Sequence, residues 1–343
     1  MTKKKILILG GSGFIGFGIT KFLKENRDYD ITIADILPSE HKDRDFENLI
    51  NDSSIKVIQG DFTSASMYDK LGKHYHYVYM LASVVGVNRC IEEPHEVIRI
   101  NTALIQNTLN WIIKNNIGKV LFSSSSECYS ATTEALNYSV PTPEEVPLAI
   151  SDIGHPRFTY AVTKMFGESA FINYSKIYNF PVTIIRYQNI FGPRMGFKHV
   201  IPHLVERFLN NENPFKVYGA EQTRSFCYIS DAAEGTVLAM ENNSSNQEIF
   251  HIGSNDEITI LELTKFVGIL MNYSGEYETA QTYPGSVSRR CPDISKAKNY
   301  LNYNPLVHWK DGLKNTVSWY IEYFKSSRFV HSGGFKSPDQ LSY

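Results

Sequence analysis

The chain has 343 residues, 42% hydrophobic and 20% charged, which is enough for a large buried core and two lobes. A formal net charge of -2 and a pI of about 6.6 exclude a general nucleic-acid-binding protein, and no apolar run is long enough to span a bilayer. The four cysteines show no metal or disulfide spacing and the N-terminus shows no signal peptide, so we expect a cytoplasmic protein without a metal site.

The N-terminal segment follows the order strand, glycine turn, helix, strand, acid. Residues 6–9 form an apolar run that predicts a buried strand, and the turn GGSGFIG follows directly. Apolar residues at helical spacing predict a helix, and residues 31–34 predict a second strand that ends at Asp35, 19 residues after Gly16. The turn residues that we expect to contact a dinucleotide are Gly10, Gly13, Phe14, Ile15 and Gly16.

This pattern fits the binding of NAD. Glycines allow a tight turn and the close approach of a pyrophosphate, and the helix N-terminus offers free N–H groups to the phosphates. The Asp35 carboxylate can accept both ribose hydroxyls of the adenosine half and would repel a 2′-phosphate, so we expect NAD rather than NADP. The glycines satisfy two fingerprints, Gly11-x-Gly13-x-x-Gly16 and Gly10-x-x-Gly13-x-x-Gly16, and the turn alone does not distinguish them.

Strands and helices alternate over the first half of the chain. Apolar runs predict strands at 55–58, 77–83, 119–122 and 182–185, and helical patterns predict long helices at 94–115 and 159–178. This alternation predicts an α/β fold with a Rossmann-type doubly wound parallel sheet. The segment 138–156 is rich in proline and acids, and we interpret it as a surface loop.

After residue 192 the segments become shorter and more polar, which indicates a smaller C-terminal α/β substrate lobe. Strands are predicted at 215–218, 225–229 and 249–252, and helices near 203–210, 231–241, 260–271 and 309–324. The predicted division is an NAD-binding Rossmann domain with the catalytic residues (1–190), a mainly substrate-binding lobe (191–325) and a flexible tail (326–343).

Residues at the ends of the predicted strands are candidates for the rest of the cofactor site. Asp61 and Phe62 follow the third strand and could flank an adenine. The fourth strand ends in small residues, which leave room for a cofactor in the crevice above the sheet. The remaining cofactor candidates are Leu81, Ala82, Ser83, Asn101 and Ser123, together with Tyr160 and Lys164.

Tyr160 and Lys164 carry the predicted chemistry. They are four residues apart and share one helix face, so the ammonium could lower the pKa of the phenol from about 10. The tyrosine could then take a proton from a substrate hydroxyl while a hydride leaves the attached carbon, and a nearby serine could hydrogen-bond the same oxygen. The lysine could also hold the nicotinamide ribose.

With these residues in place, the sequence resembles the extended short-chain dehydrogenases/reductases of the NAD-dependent nucleotide-sugar epimerase/dehydratase family over residues 5–306. The motifs that carry the resemblance are GGSGFIG, Asp35, Gly60-Asp61-Phe62, SSSSECY, YAVTK, RYQNIFGPR, KVYG, QTRSFCYISD and RRCPDISKA. The resemblance implies that Ser125, Tyr160 and Lys164 are catalytic. Ser125 is chosen because the family's catalytic Ser or Thr stands four residues before the aromatic residue, here Tyr129.

The resemblance also implies a nucleotide-diphosphate sugar as substrate. Asn189 matches an asparagine that contacts the sugar nucleotide, and Arg224 and Arg290 match arginines that hold its diphosphate. Arginine suits this role because its planar fork binds phosphate oxygens in pairs. The other residues expected to line the substrate pocket are Ser126, His199, Val200, Val217 and Tyr218.

In this family the common first step is hydride abstraction from sugar C4, which gives a 4-keto intermediate. Epimerisation, dehydration, hexuronate decarboxylation or release of the ketone by a 4-dehydrogenase can follow. Glu127 occupies a position where dehydratases and uronate decarboxylases usually carry Glu, and it could act at C5 or C6. Residues 156–160 resemble the decarboxylases, whereas the segment after residue 194 does not. Glu127 could instead cap a loop.

The sequence disfavours two other classes of protein. A catalytically silent NAD-binding regulator is disfavoured because Ser125, Tyr160 and Lys164 are all present. A steroid or flavonoid reductase is disfavoured because Asp35 indicates NAD. The two long helices have apolar residues on more than one face, and the family pairs these helices between subunits, so we expect a homodimer.

Overall fold

The computed structural model describes residues 3–37, 43–282 and 286–326. The strands are β1 (Lys4–Leu9), β2 (Tyr29–Asp35), β3 (Ile55–Gln59), β4 (His74–Met80), β5 (Asn116–Ser125), β6 (Val182–Tyr187), β7 (Ile190–Phe191), β8 (Phe215–Tyr218), β9 (Thr223–Ser225), β10 (Cys227–Tyr228), β11 (Glu248–Ile252), β12 (Glu257–Thr259), β13 (Tyr277–Ala280) and β14 (Arg289–Arg290). The α-helices are α1 (Phe14–Asn26), α2 (Arg44–Ile50), α3 (Val87–Glu92), α4 (Pro94–Ile112), α5 (Thr159–Tyr178), α6 (Val200–Leu209), α7 (Ile229–Glu241), α8 (Ile260–Leu270), α9 (Ser295–Leu301) and α10 (Trp309–Ser326).

Seven of these strands form one parallel sheet in the order β3-β2-β1-β4-β5-β6-β11. The predicted Rossmann-type sheet is therefore confirmed. Its edge strand β11 was expected in the second lobe, but Glu248 pairs with Thr183 of β6. The helix before it, α7, packs on α1, where Gly18 faces Ile229. The layer built around the parallel sheet thus includes residues beyond 190, because α7 and β11 return to it.

The central strands are buried on both faces of the sheet. Ile6 and Ile8 of β1 belong to one hydrophobic cluster, and Leu7 and Leu9 belong to another on the opposite face. Helices α1 and α7 cover the first cluster, and α4 and α5 cover the second. This double cover explains why the strands appear in the sequence as continuous apolar runs rather than alternating patterns.

The long helices lie where the sequence predicts them. The predicted bounds of α5, 159–178, agree with the structure, and α4 ends at Ile112 rather than near residue 115. The short helices α2, α3 and α9 were not predicted, since six or seven residues carry too little periodicity to identify a helix. Among the described residues, no helix combines the length and apolar character needed to cross a membrane.

The second lobe has a hydrophobic cluster of its own. Phe208 of α6 stacks on Phe215 of β8 with ring centroids 3.9 Å apart, and α10 contributes Leu313, Val317 and Tyr320 at helical spacing. The strand predicted at 225–229 is instead two short strands, β9 and β10, interrupted at Phe226. The predicted tail lies outside the described residues except for the end of α10.

The predicted loop at 138–156 contains no helix or strand before the 3-10 turn that begins at Pro156, yet it is not simply a surface loop. Thr142 donates its N–H to the carbonyl of Cys291 (3.0 Å) and accepts the N–H of Asp293 (2.8 Å). The buried side chain of Glu144 accepts the N–H of His251 on β11 at 2.8 Å. This segment therefore straps residues 291–293 onto the main sheet, which positions the neighbouring Arg290.

Candidate active site

The glycine turn leaves no space for side chains at two positions. Gly10 has φ +86°, and a Cβ there would lie 2.6 Å from the backbone N of Ala82. A Cβ at Gly16 would lie 2.2 Å from the carbonyl oxygen of Gly10, so the helix packs directly against the turn. Gly10 therefore supplies the left-handed turn residue, which favours the fingerprint that begins at Gly10. The free N–H groups of the first turn of α1, from Phe14 onward, follow this turn.

Asp35 closes β2 beside this turn and is buried. Its Oδ2 accepts the N–H of Ser12 at 3.0 Å, and its Oδ1 accepts the N–H of Leu37 at 3.2 Å. A carboxylate has about four acceptor positions, so two remain for ribose hydroxyls. The adenosine half of NAD fits this site. The turn has no space for a Cβ at Gly10 or Gly16, the start of α1 offers free N–H groups, and Asp35 offers a buried carboxylate.

Asp61 and Phe62, which are expected to flank an adenine, follow β3 and differ in exposure. Asp61 is exposed at the sheet edge, where its Oδ1 accepts the N–H of Thr63 at 2.9 Å. The ring of Phe62 is buried in the core and contacts the ring of Tyr68 edge-on, with centroids 5.3 Å apart. The buried ring of Phe62 packs in the core, and contact of residues 61 and 62 with an adenine stays a prediction.

The residues after β4 line the turn, and Asn101 holds the loop that follows them. Leu81 and Ala82 both donate their N–H to the carbonyl of Leu9 at 2.9 Å, which brings them against Gly10. The buried amide of Asn101 accepts the N–H of Val84 at 2.7 Å, and its Nδ2 donates to the Val84 carbonyl (3.1 Å) and to Thr163 Oγ1 (3.1 Å). Asn101 therefore holds the loop beginning at Ser83 to α5, and both of its N–H donors are occupied without a cofactor.

Lys164 joins α5 to the end of β5. Its Nζ donates to the carbonyl of Ser123 at 2.8 Å and lies 3.4 Å from the Ser123 hydroxyl. Burial lowers the pKa of Lys164 to about 8. The same Nζ lies 5.5 Å from the ring centroid of Tyr160, so the structure brings the predicted lysine and tyrosine together.

The phenol of Tyr160 is not acidified in the protein alone. Burial raises the pKa of Tyr160 above its usual range, and the hydrogen bond with the Ser125 hydroxyl offsets only part of that rise. The pKa of Tyr160 is therefore raised rather than lowered in the protein alone, although Lys164 lies close to the ring. Bound NAD would supply a hydride acceptor with a positively charged ring, which favours the phenolate. Ser125, Tyr160 and Lys164 nevertheless form one cluster.

Glu127 lies two residues after Ser125, in the 3-10 turn Ser126–Tyr129. Its Oε1 accepts a hydrogen bond from Nη1 of Arg290 at 2.5 Å. Burial alone would raise the pKa of Glu127, but the charges of Arg290 and Arg157 outweigh burial and lower it to about 2. Glu127 is therefore an ionised carboxylate that faces arginine rather than a loop cap, and Ser126 beside it is buried.

The arginines of the second lobe are crowded. Arg224 and Arg290 are directly paired across β9 and β14. Arg224 donates to the backbone carbonyls of Thr223 (2.7 Å) and Val287 (2.8 Å). Burial and the nearby charges of Arg290 and Arg157 lower the pKa of Arg224 to about 9. Such crowding of cations is typical of a site for a multiply charged anion.

A buried polar network beneath the serine-rich strand end was missed by the sequence analysis. Arg186 of β6 forms a bidentate ion pair with Glu168 of α5 at 2.8 and 2.7 Å, and Ser124 donates a short hydrogen bond to the same carboxylate. Glu168 stands four residues after Lys164 and shares its helix face. This spacing was the sequence feature that could have indicated a buried polar group beside Lys164. The network ties α5 to β5 and β6 and so fixes Lys164.

The predicted substrate residues have mixed positions. Asn189 has φ +43° and donates from Nδ2 to the Ser225 carbonyl at 3.0 Å, at the junction of the two lobes. His199 and Val200 are exposed at the start of α6. The side chain of Val217 is buried in the core of the second lobe, and its place in the substrate pocket stays a prediction. Tyr218 is partly exposed, with Arg207 5.4 Å from its ring centroid.

The glycine turn with its carboxylate and the Ser–Tyr–Lys cluster together define a short-chain dehydrogenase of the extended type. The model of the NAD-dependent epimerase/dehydratase family matches residues 6–253, and the chain belongs to this family. The predicted family, fold, enzymatic character and cofactor are thus confirmed: the chain is an NAD-dependent enzyme of the nucleotide-sugar epimerase/dehydratase type.

Several known proteins are similar along nearly their whole length. The chain is 32% identical over 330 residues to UDP-N-acetyl-alpha-D-glucosaminuronate decarboxylase of Bacillus cytotoxicus, covering 93% of this chain and 98% of that protein. It is 30% identical to UDP-glucuronic acid decarboxylase 3 of Arabidopsis thaliana, covering 90% and 86%. UDP-glucuronic acid 4-epimerase from Bacillus cereus, solved in complex with UDP-glucuronic acid and NAD, superposes with a TM-score of 0.82 at 25% identity, covering 93% and 99%.

Proposed function

We propose that the chain decarboxylates a UDP-activated hexuronate after NAD-dependent oxidation at sugar C4. The observation that carries this proposal is the ionised carboxylate of Glu127, paired with Arg290 at 2.5 Å in the same crevice as Ser125 and Tyr160. Relatives at 32% and 30% identity that act on hexuronates support the choice of substrate class.

In the first step, Tyr160 takes the proton of the C4 hydroxyl and Ser125 hydrogen-bonds the same oxygen. Lys164 holds the end of β5 through Ser123 and adds a positive charge near the phenol. Residues of the glycine turn and Asp35 would hold the cofactor that receives the C4 hydride. The product of this step is a 4-ketone.

In the second step, the new ketone makes the sugar a β-keto acid. The C5–C6 bond breaks, CO₂ leaves, and the electron pair remains as an enolate over C5, C4 and its oxygen. Arg290 provides positive charge for this enolate, and Glu127 holds the guanidinium in place. A proton that originates from water then reaches C5, and return of the hydride to C4 gives a pentose.

The charge of Glu127 favours decarboxylation over dehydration. Loss of water from C6 requires a proton donor for the departing hydroxyl, and a carboxylate with a pKa of about 2 is ionised at neutral pH. Simple C4 epimerisation gives the Glu127–Arg290 pair no task. Decarboxylation needs no acid at C6 and uses the positive charge of Arg290.

Product analysis tests this function. Purified enzyme is incubated separately with UDP-glucuronate, UDP-N-acetylglucosaminuronate and UDP-glucose, and the products are followed by NMR and by CO₂ release. We expect CO₂ and a UDP-pentose from a uronate, and no conversion of UDP-glucose. A C4 epimer that retains C6, or a 4-keto-6-deoxy sugar from UDP-glucose, would contradict the proposal.

We also infer a homodimer through α4 and α5. These two helices pack side by side on one face of the sheet and expose large apolar side chains. The exposed fractions are 49% for Ile98, 38% for Phe166, 77% for Ile177 and 53% for Tyr178. Apolar groups clustered on a helix pair favour burial against a second copy.

A further inference from the structure

We propose that Arg157 binds the carboxylate of the hexuronate and so selects acidic sugars over neutral ones. This inference rests on the function proposed above and assigns one of its determinants to a residue that the sequence analysis did not single out.

Among the described residues, the Nε of Arg157 lacks a hydrogen-bond partner, although the charge of Arg157 acts on Glu127 nearby. This Nε is buried, and the side chain forms no ion pair with a described carboxylate. Other shielded arginines are paired, as Arg186 is with Glu168 and Arg194 is with Asp43. Leaving a buried charged donor unsatisfied costs free energy, and a bound anion would remove that cost.

Arg157 is held one helical turn before Tyr160. It lies in the 3-10 turn Pro156–Phe158 that leads into α5, where Phe158 is buried and the ring of His155 accepts the N–H of Arg157 at 3.2 Å. Helix α3 packs against this turn. One helical turn is about 5 Å, and in a hexuronate the carboxylate carbon is attached to C5, the neighbour of C4. The charge of Arg157 acts on Glu127, and that of Glu127 acts on Tyr160, so the three side chains are close together. A sugar with C4 at the Tyr160 hydroxyl would bring its carboxylate to this group.

The charges of the crevice favour a further cation beside the substrate carboxylate. Glu127 is ionised, so a second carboxylate entering beside it would be repelled unless an additional cation is present. Arg290 is already paired with Glu127, and Arg224 donates to the backbone of residues 223 and 287. Arg157 is the arginine near Glu127 that these contacts leave available for the substrate carboxylate.

Binding measurements on the full chain test this assignment. They are made in a Tyr160→Phe background with NAD present, so that the ligand is not consumed, using UDP, UDP-glucose and UDP-glucuronate in calorimetric titrations. We expect Arg157→Met to weaken UDP-glucuronate binding by about 10- to 100-fold, the range of a hydrogen bond to a charged group, and to leave UDP and UDP-glucose unchanged. Arg157→Lys keeps the charge but loses the planar fork, so it should cause a smaller loss confined to UDP-glucuronate.

The controls separate this inference from the proposed function. Arg99→Met removes an exposed arginine on α4 and should alter no affinity. An equal loss for UDP, UDP-glucose and UDP-glucuronate would assign Arg157 to the diphosphate or to the fold and overturn the inference, as would unchanged uronate affinity. If the Arg157-containing enzyme does not prefer UDP-glucuronate to UDP-glucose, the hexuronate function itself fails. Should Arg157→Met not fold, Arg157→Lys decides by the same three ligands.

Discussion

The carboxylate of Glu127 lies 2.5 Å from the guanidinium of Arg290, and this ion pair connects the two lobes across the crevice. Glu127 follows β5 of the parallel sheet, whereas Arg290 lies on β14 of the second lobe. Arg290 is held there by the pairing of β14 with β9 and by the strap around Thr142. The pair therefore couples the position of the second lobe to the strand end that carries Ser125.

Replacing Glu127 by glutamine should separate the two proposed steps. The amide keeps the shape of the side chain but removes its charge, so Arg290 loses its ionic partner while Tyr160 keeps its hydrogen bond with Ser125. We expect CO₂ release from UDP-glucuronate to fall by about 10²- to 10³-fold, the loss typical of one preorganised electrostatic contact, while NADH accumulates by absorbance. Glu221→Gln, at an exposed position, is the matched control. If both steps fail together, or neither changes, the division of roles is wrong.

Tyr160→Phe should abolish turnover without weakening substrate binding. The substitution removes only the hydroxyl that interacts with Ser125 and leaves the ring beside Lys164. Removing a general base typically costs about 10²- to 10⁴-fold in rate. Turnover is measured by NMR and affinity for UDP-glucuronate by calorimetry. Activity equal to that of the unsubstituted enzyme would exclude the proposed role of the phenol.

Gly10→Ala should remove NAD from the protein. Gly10 has φ +86°, and an added Cβ would lie 2.6 Å from the N of Ala82, so the turn must open. The strained backbone alone costs about 1–2 kcal/mol, and the steric contact adds to it. Mass spectrometry after denaturation should find NAD(H) in the unsubstituted protein and little in the variant. Gly154→Ala is the control, since its Cβ would meet only the Asp152 side chain at 3.3 Å. Full NAD content in the Gly10 variant would contradict this account of the turn.

Much of the sheet was predictable because its signals are local. A buried parallel strand is a continuous apolar run, so β1 and its neighbours were found, and the turn after β1 identified the cofactor site. The place of β11 was not predictable, because the sequence of a five-residue strand does not show whether it pairs in the main sheet or in the second lobe. Only the long-range pairing of Glu248 with Thr183 decides this.

The site was predictable where one segment carries the chemistry, and less so where distant segments meet. Tyr160 and Lys164 share a helix face, and their proximity follows from spacing. Whether the side chains of Phe62 and Val217 point into the core depends on which face of their segment packs against other elements. Both side chains are buried in the structure. Glu127, Arg157 and Arg290 come from three separate parts of the chain, so no local pattern reveals that they share one crevice.

Charged residues on α4 and α5 should dissociate the inferred dimer. Ile98→Glu and Phe166→Glu place a carboxylate on the exposed apolar face of this helix pair. Burying an unpaired charge in an interface is strongly unfavourable, so we expect monomers in sedimentation velocity at micromolar concentration, where the unsubstituted chain sediments as a dimer. Ile153→Glu, at a 78% exposed position outside these helices, should leave the dimer intact. A monomeric unsubstituted chain would overturn the inference.

The buried ammonium of Lys164 should give the reaction an alkaline limit. Burial lowers the pKa of Lys164 to about 8, so this group loses its proton as the pH rises through about 8, before it would in water. Because its positive charge favours the phenolate of Tyr160, we expect kcat/KM to fall above about pH 8. In Lys164→Arg the guanidinium stays protonated, so the limit should move to higher pH even though the altered geometry lowers the rate. A limit that stays near pH 8 in this variant would assign the titration to another group.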